Sequence, residues 1–351
     1  MGKVKVGVAG VGNACSSLIQ GLQLCRELGE RVEGVVRWSF AGYTPQDIEV
    51  VAAFDIDRRK VGRDLSEAIF TEPNNMLKLC EVPELGVTVE RGPVLDGKTQ
   101  LIEVDEEQKP VEVGERLKEE RVDVLLCLVP SGAAEAARYY AGEAAKVGAA
   151  FVNATPNLIA SDPEWGRRFR EAKAPVIGDD LESQMGSTVL HKLILELMVG
   201  RGVRVKETYA LDVGGSPESL HALDWEKTVM KRKVKTKAVK SALPYEVPVV
   251  AGSTDYVDFL GDFRDTRIWI RGSLFAGAPV EIELKIRAPD GANAVIPLMD
   301  SIRAAKVALD RGVAGPLESI SAYHFKHPPV FLPPKEAERW LQEFIEGKRE
   351  K

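Results

Sequence analysis

The chain has 351 residues, 44% hydrophobic and 28% charged, with Lys+Arg 47 against Asp+Glu 53 and a formal net charge of −6. That length and apolar fraction support about two domains with buried cores, and the acidic balance argues against nucleic acid as a partner. No stretch reaches the roughly 20 uninterrupted apolar residues of a membrane span, so no membrane partner is expected either.

Val4 to Ala9 is an apolar run of the kind that forms a buried parallel strand. It flows into Gly10-Val11-Gly12-Asn13, and then into a helical pattern with Leu18, Ile19, Leu22 and Cys25 on one face. Gly10 permits a tight turn, and Gly12 lets backbone approach a pyrophosphate at the helix start. Cys15 stands where the third fingerprint glycine belongs, so a purely structural turn explains this motif nearly as well. Ile48 to Phe54 reads as the second strand and ends at Asp55, an acceptor for ribose hydroxyls that favours NAD over NADP. Asp55 lies well beyond the expected spacing of roughly 20 residues, and an insertion over residues 26–46 accounts for the gap. Val122 to Val129, Phe151 to Ala154 and Pro175 to Gly178 read as further strands, the first ending at Pro130-Ser131-Gly132 before an Ala-rich helix. This succession predicts an α/β doubly wound Rossmann domain with ligands at the strand C-terminal ends. Ser183, Gln184, Gly186, Ser187 and Thr188 form a polar run before an apolar helix; it suits either a phosphate or a plain helix cap.

Strands are expected near Val205 to Val213, Arg267 to Ile270 and Val280 to Ile286. Between them, Lys227 to Lys240 carries seven basic residues and no acidic one. On a helix, Lys227, Lys231 and Lys235 form one row, with Met230, Val234 and Ala238 in a second row that could pack inward. Such a helix aims ammonium groups at an anion, or is simply a solvated face. Asp300 sits in an apolar helical pattern with Ile296, Leu298, Met299, Ile302 and Ala305, either facing solvent or paired with a lysine. The expected layout is a nucleotide domain over 1–190, a second α+β domain over 191–295, and a segment over 296–351 that returns to the first domain. Cys15, Cys25, Cys80 and Cys127 show no CxxC spacing, and Met1 leads almost directly into VGVAGVG, unlike a signal peptide; a cytoplasmic protein is expected. His191, His221, His324 and His327 form no HxxxH pair, so no zinc site is expected.

Nine segments in order carry a more specific signal: GVGNACSS (10–17), FDIDRRKVG (54–62), LSEAIFTEPNN (65–75), RGPVLDG (91–97), FVNATP (151–156), GDDLESQMGST (178–188), LDVGG (211–215), MDSIRAAK (299–306) and SAYHFKHPP (321–329). Together they resemble the inositol-1-phosphate synthase (1D-myo-inositol-3-phosphate synthase) family, in its prokaryotic form. The resemblance implies NAD, D-glucose 6-phosphate as substrate, and a reaction without net redox change: oxidation at C5, loss of a C6 proton, aldol closure on C1, and reduction of the ring ketone. It implies catalytic roles for Lys231, Lys235, Lys285, Lys326, Asp180 and Asp300. Cofactor contacts are implied for Gly10, Gly12, Asn13, Asp55, Asn74, Asn75, Pro130, Ser131, Asn153 and Asp180, and phosphate contacts for Ser183, Gln184, Gly186, Ser187 and Thr188. It further implies a homotetramer built through the sheet of the second domain, whose oligomerising role goes with its catalytic one; a mono- or divalent cation as a second cofactor stays open. The chain departs from the pattern at Glu182, where a lysine is common, at Ser216, and at Ala294-Val295-Ile296. Glu182 is expected to point outward, between inward-facing Asp180 and Ser183. An NAD-dependent dehydrogenase of sugar phosphates or polyols, and a catalytically lapsed NAD-binding paralogue, are the competing readings.

Overall fold

The computed structural model describes residues 2–96, 98–104, 108–221, 223 and 225–351, without the side chains of residues 226, 227, 230 and 253. Gly97, which closes the RGPVLDG segment, and the side chains of Lys227 and Met230 lie outside the described residues.

In chain order the first part runs β1 (Val4–Ala9), α1 (Asn13–Leu28), β2 (Ile48–Asp55), α2 (Leu65–Ala68), β3 (Val89–Arg91), α3 (Val113–Glu119), β4 (Val124–Cys127), α4 (Ala134–Val147), β5 (Ala150–Asn153), α5 (Pro163–Glu171) and β6 (Pro175–Ile177). Then follow α6 (Ser187–Gly200), β7 (Arg204–Gly214), α7 (Pro217–His221), α8 (Trp225–Lys240), β8 (Val249–Tyr256), β9 (Phe263–Ser273), β10 (Pro279–Pro289), α9 (Asp290–Asp310), β11 (Gly315–Pro316), α10 (Glu318–His324) and α11 (Pro334–Ile345).

The first sheet has the order β11-β6-β5-β4-β1-β2-β3, and its strand pairs are all parallel. Strand alternation sends Val4, Val6, Val8, Val124 and Leu126 into one core layer with α1, α9 and α11. Leu125, Cys127 and Phe151 point the other way, against Leu117 of α3, Tyr140 of α4 and Phe169 of α5. Both faces are therefore covered, which is why these strands read as unbroken apolar runs. The doubly wound architecture stands as read from the sequence.

The second sheet has the order β10-β9-β7-β8, with β9 antiparallel to β10 and β7, and β8 parallel to β7. One face packs on α6 and α8 through Leu195, Met198, Val239, Ile268 and Ile270. The helix α9 then leaves β10 and crosses back against α1. There a Cβ added to Gly21 would lie 2.5 Å from Val295 Cγ1, so only a glycine lets the two helices approach this closely.

Several boundaries differ from expectation. β8 was not expected because its sequence, VVAGSTDY, carries glycine and polar residues. β9 and β10 run past their apolar centres because the ladder from Pro279↔Ser273 to Pro289↔Phe263 continues through charged positions. α9 starts at Asp290, ahead of the apolar helical pattern that Ile296 opens, with Pro289 before its first turn and Asp290 in it.

Candidate active site

A cleft of about 380 Å³ opens at the C-terminal ends of β1, β2 and β4, walled on the far side by α8 and by β9 and β10 of the second sheet. Its first end is built on the glycine turn. Gly10 has φ +98°, and a Cβ there would lie 2.7 Å from the Leu128 carbonyl oxygen, so the turn demands glycine. A Cβ on Gly12 would meet nothing within 4 Å. Gly12 also caps α1 without a side-chain bond, and the first turn has no acidic residue. Backbone N–H donors thus face the cleft unopposed, which suits a pyrophosphate. Cys15, in the third glycine position, is buried, and burial pushes its thiol up to about 12, so it is packing rather than a nucleophile.

Asp55 accepts from the backbone N–H of Val11 at 2.7 Å through one oxygen, and from those of Ile56 at 2.7 Å and Asp57 at 2.9 Å through the other. Lys60, unmarked in the sequence reading, is 4% exposed and donates to the Val11 carbonyl at 2.8 Å and to Asn74 Oδ1 at 2.9 Å. Gly10, Gly12, Asn13, Asp55, Asn74, Pro130, Ser131 and Asp180 all line the cleft. Asn75 and Asn153 are not among the lining residues. Asn75 instead bridges Asn13 at 2.8 Å to the Gly215 carbonyl at 3.0 Å, tying the turn to the second domain. Asn153 is fully buried beneath the floor, donating to Asp179 at 2.7 Å.

The other end gathers cations, each against a carboxylate. The helix α8 is anchored by buried Val234, Ala238 and Val239, and the same inward side presents Lys231 to Glu218 and Lys235 to Asp212. Lys326 donates to Asp180 Oδ1 at 2.7 Å and to the Leu181 carbonyl at 2.7 Å. Arg264 of β9 grips Asp290 through Nε at 2.9 Å and Nη2 at 2.5 Å, with its Nη1 3.9 Å from Asp212. Burial alone would raise the Asp212 carboxyl, yet Lys235, Arg264 and the Thr266 hydroxyl hold it down to about 2. Lys231 and the Ser131 hydroxyl likewise hold the Glu218 carboxyl down to about 2. Burial lowers the proton affinity of Lys235; Asp212 opposes this, and Arg264 and Lys326 add to it. Asp262, 2% exposed, is raised to about 6 by burial and joins Asn13 at 3.1 Å to the Gly291 N–H at 2.9 Å. Among the described residues, no group of His, Cys, Asp and Glu is arranged to hold a metal ion.

Between the two ends, Gly186 caps α6 without a side-chain bond, and Ser187 and Thr188 open a first turn free of acidic residues. Asn293 fastens the preceding loop, accepting from the N–H groups of Gln184 at 2.8 Å and Met185 at 2.9 Å. Ser183, Gly186, Ser187 and Thr188 line the cleft. Gln184 does not; its amide turns away to the Gly34 carbonyl at 2.8 Å.

Besides Asn75, Asn153 and Gln184, the expectations for Lys285, Asp300 and Glu182 need correction. Lys285 is 60% exposed and 3.4 Å from Asp265, on the sheet face opposite Ile286, which lines the cleft. The cation that the sheet does supply is Arg264. Asp300 is 1% exposed and pairs with Arg303 at 2.5 Å, His324 at 3.1 Å and Arg37 at 3.6 Å. It fastens α9 to α10 and to residues 37–43, where Arg303 also donates to the Arg37 and Trp38 carbonyls at 2.9 Å. It touches neither the cleft nor a lysine. Glu182 does not point outward: it is 2% exposed, lines the cleft, and accepts from Lys192 of α6 at 2.7 Å. Its charge is thus matched by a cation ten residues along the chain.

Sequence reasoning missed Lys60, Glu218, Asp262, Arg264 and Asp290. Lys60 lies within the FDIDRRKVG segment, and Asp212 within LDVGG, but neither segment says what its charge meets.

The sequence pattern of the myo-inositol-1-phosphate synthase family matches residues 186–291. An inositol-3-phosphate synthase of Mycolicibacterium smegmatis is 42% identical over 359 residues, covering 99% of this chain and 99% of that protein. One of Mycobacterium tuberculosis is 41% identical over 354 residues, covering 98% of this chain and 96% of that protein. The solved structure of a myo-inositol-1-phosphate synthase-related protein from Thermotoga maritima shares 25% sequence identity and a TM-score of 0.82, covering 98% of each chain. With likeness of this degree running from end to end, the chain belongs to the myo-inositol-1-phosphate synthase family.

Proposed function

We propose that the chain is an NAD-dependent cyclising isomerase that converts D-glucose 6-phosphate to 1D-myo-inositol 3-phosphate. The observation that carries this reading is one cleft joining an open glycine turn to Lys231, Lys235, Lys326 and Arg264. A simple alcohol dehydrogenation needs one proton acceptor. A cluster of preorganised cations suits a reaction that also develops enolate and alkoxide charge away from water.

Gly10, Gly12, Asn13, Asp55, Asn74, Pro130, Ser131 and Asp180 would hold the dinucleotide, with Lys60 bracing the turn from below. When bound, it supplies hydride acceptance and return, so the sugar undergoes no net oxidation. The N–H groups at Ser187 and Thr188 and their hydroxyls hold the phosphate at the start of α6. Lys235, whose lowered proton affinity lets its ammonium release a proton to become a neutral amine, is the group suited to take the C6 proton. Asp212 orients that amine and stabilises the ammonium that re-forms when the proton is taken. Lys231, Lys326 and Arg264 stabilise the oxygens that become negative during enolisation and ring closure. A homotetramer joined through the second sheet and a cytoplasmic location belong to the same reading.

Asp55→Ala is expected to cost about 1.5–3 kcal/mol of NAD affinity, the worth of a hydrogen bond to a charged acceptor. Titration of NAD into the folded variant checks this; unchanged affinity would remove Asp55 from the site. Lys285→Ala is expected to leave turnover within about twofold, since an exposed ion pair contributes about 0–1 kcal/mol. Loss of activity in that variant would return Lys285 to the catalytic set.

The reading is tested by incubating the chain with glucose 6-phosphate and catalytic NAD⁺ and following products by phosphorus NMR. An inositol monophosphate is expected. Stoichiometric NADH would point to a dehydrogenase, and bound NAD without turnover to a lapsed enzyme.

A further inference from the structure

We propose that His327 is a positioning residue for Lys326. In this proposal a hydrogen-bonded chain from Lys237 through His327 and Ser161 to Asp179 seats the segment that presents the Lys326 ammonium to the cleft. The inference rests on the reading of Lys326 as part of the active site.

Residues 324–327 run beside residues 179–182 as a short pair of extended segments. The N–H of Glu182 donates to the His324 carbonyl at 2.7 Å, and that of Lys326 to the Asp180 carbonyl at 2.7 Å. Asp179 and His327 exchange both backbone bonds at 2.9 Å. The position of Lys326 therefore follows that of His327. Asp179 is fully buried and accepts from Asn153 at 2.7 Å, from the N–H groups of Ile159, Ala160 and Ser161 at 3.0, 2.9 and 3.1 Å, and from the Ser161 hydroxyl at 2.7 Å.

These bonds set the direction of the whole chain. Asp179, an ionised carboxylate, can only accept, so the Ser161 hydroxyl donates its proton there. The Ser161 oxygen is then left to accept from His327 Nδ1, 3.1 Å away. With the proton on Nδ1, His327 Nε2 presents a lone pair to Lys237 Nζ at 3.5 Å. The ring of Phe331 lies against both groups, with Lys237 4.5 Å from its centroid and His327 edge-on at 5.5 Å. Lys237 belongs to α8, the helix that carries Lys231 and Lys235, so the chain joins two sources of active-site ammonium groups.

Only the neutral imidazole satisfies this arrangement. The groups around it are Lys237 from α8, Asp180 and Asp179 from the adjoining segment, and Ser161, with Phe331 apolar. Burial and Lys237 hold the proton affinity of His327 below its ordinary value, while Asp180 opposes them. Burial also raises Asp179 to about 6. A depressed histidine is lost as pH falls through its ordinary value, because the unfolded chain takes the proton first. Acid therefore weakens the chain at its histidine end, by setting an imidazolium against Lys237, whereas the raised Asp179 carboxyl takes its proton more readily folded than unfolded.

The test uses the full chain loaded with NAD. Nitrogen-15 NMR of the imidazoles is expected to show His327 as the Nδ1–H tautomer, titrating below the ordinary value of about 6.5 and moving upward in Lys237→Met. In kinetics, His327→Leu should lower kcat at least about tenfold with KM for glucose 6-phosphate within about threefold, as small displacements of a catalytic group do. His327→Asn, whose amide can replace Nδ1–H, should recover most of that loss. The Nε2–H tautomer, or His327→Leu turning over at the parent rate, would overturn the proposal. Should His327→Leu fail to fold, the tautomer and the Lys237→Met shift still decide. If the parent does not cyclise glucose 6-phosphate, the functional reading fails, while the NMR result still judges the chain of bonds.

Discussion

Lys235→Met is expected to lower the rate of cyclisation by about 10²–10³, the usual cost of removing one preorganised charge donor, while NAD binds nearly as before. The ammonium is largely buried, held by Asp212, and close enough to Arg264 and Lys326 for both to lower its proton affinity. Methionine keeps the apolar stem and its packing, so the loss reports on the charge and the proton. Single-turnover kinetics on the variant, with NAD affinity measured in parallel, separates the two effects. Turnover near the parent rate would assign the proton transfer to another group.

Asp212→Ala is expected to destabilise the fold by about 3–5 kcal/mol, the cost of leaving a buried charge without its partner. Asp212 is 1% exposed and receives Lys235, the Thr266 hydroxyl at 2.7 Å and, at longer range, Arg264. Without it, two cations from different elements face each other in a water-poor site. The same pairing sets a pH window. A carboxyl depressed from 3.8 to about 2 contributes stability that is complete above the first value and drains as pH falls towards the second. Urea unfolding at neutral pH checks the magnitude. A loss below about 1 kcal/mol, within the range of exposed pairs, would mean that Lys235 finds another acceptor or sheds its charge at no cost.

The first sheet was legible because burial on both faces leaves β1, β2 and β4 as largely apolar runs that end at polar or glycine turns. β3 and β11 were not, since two or three residues carry no period. The glycine turn showed itself through backbone need alone: Gly10 must be glycine whatever ligand lies above it. The lysine pair of α8 also came from spacing, and its partners did not, because Glu218 and Asp212 reach it from α7 and β7.

The errors are as informative as the successes. In VEIELKIRA the alternation of Val280, Ile282, Leu284 and Ile286 already sets Lys285 on the opposite, polar face. The family resemblance implies a catalytic Lys285, whereas the side chain follows the strand period and is 60% exposed. For Asp300 the telling neighbour was Arg303, one helical turn along. Glu182 and Arg264 had no such local sign. Their partners, Lys192 and Asp290, are brought to them by the loop before α6 and by the junction of β10 with α9.

The central claim, that hydride leaves the sugar and returns to it within one cyclisation, is tested most directly with glucose 6-phosphate deuterated at C5. With the parent chain and catalytic NAD⁺, the account predicts an inositol phosphate that retains the deuterium on the ring, with no build-up of reduced cofactor. Deuterium accumulating in the cofactor pool while an open-chain or oxidised sugar phosphate appears would contradict it.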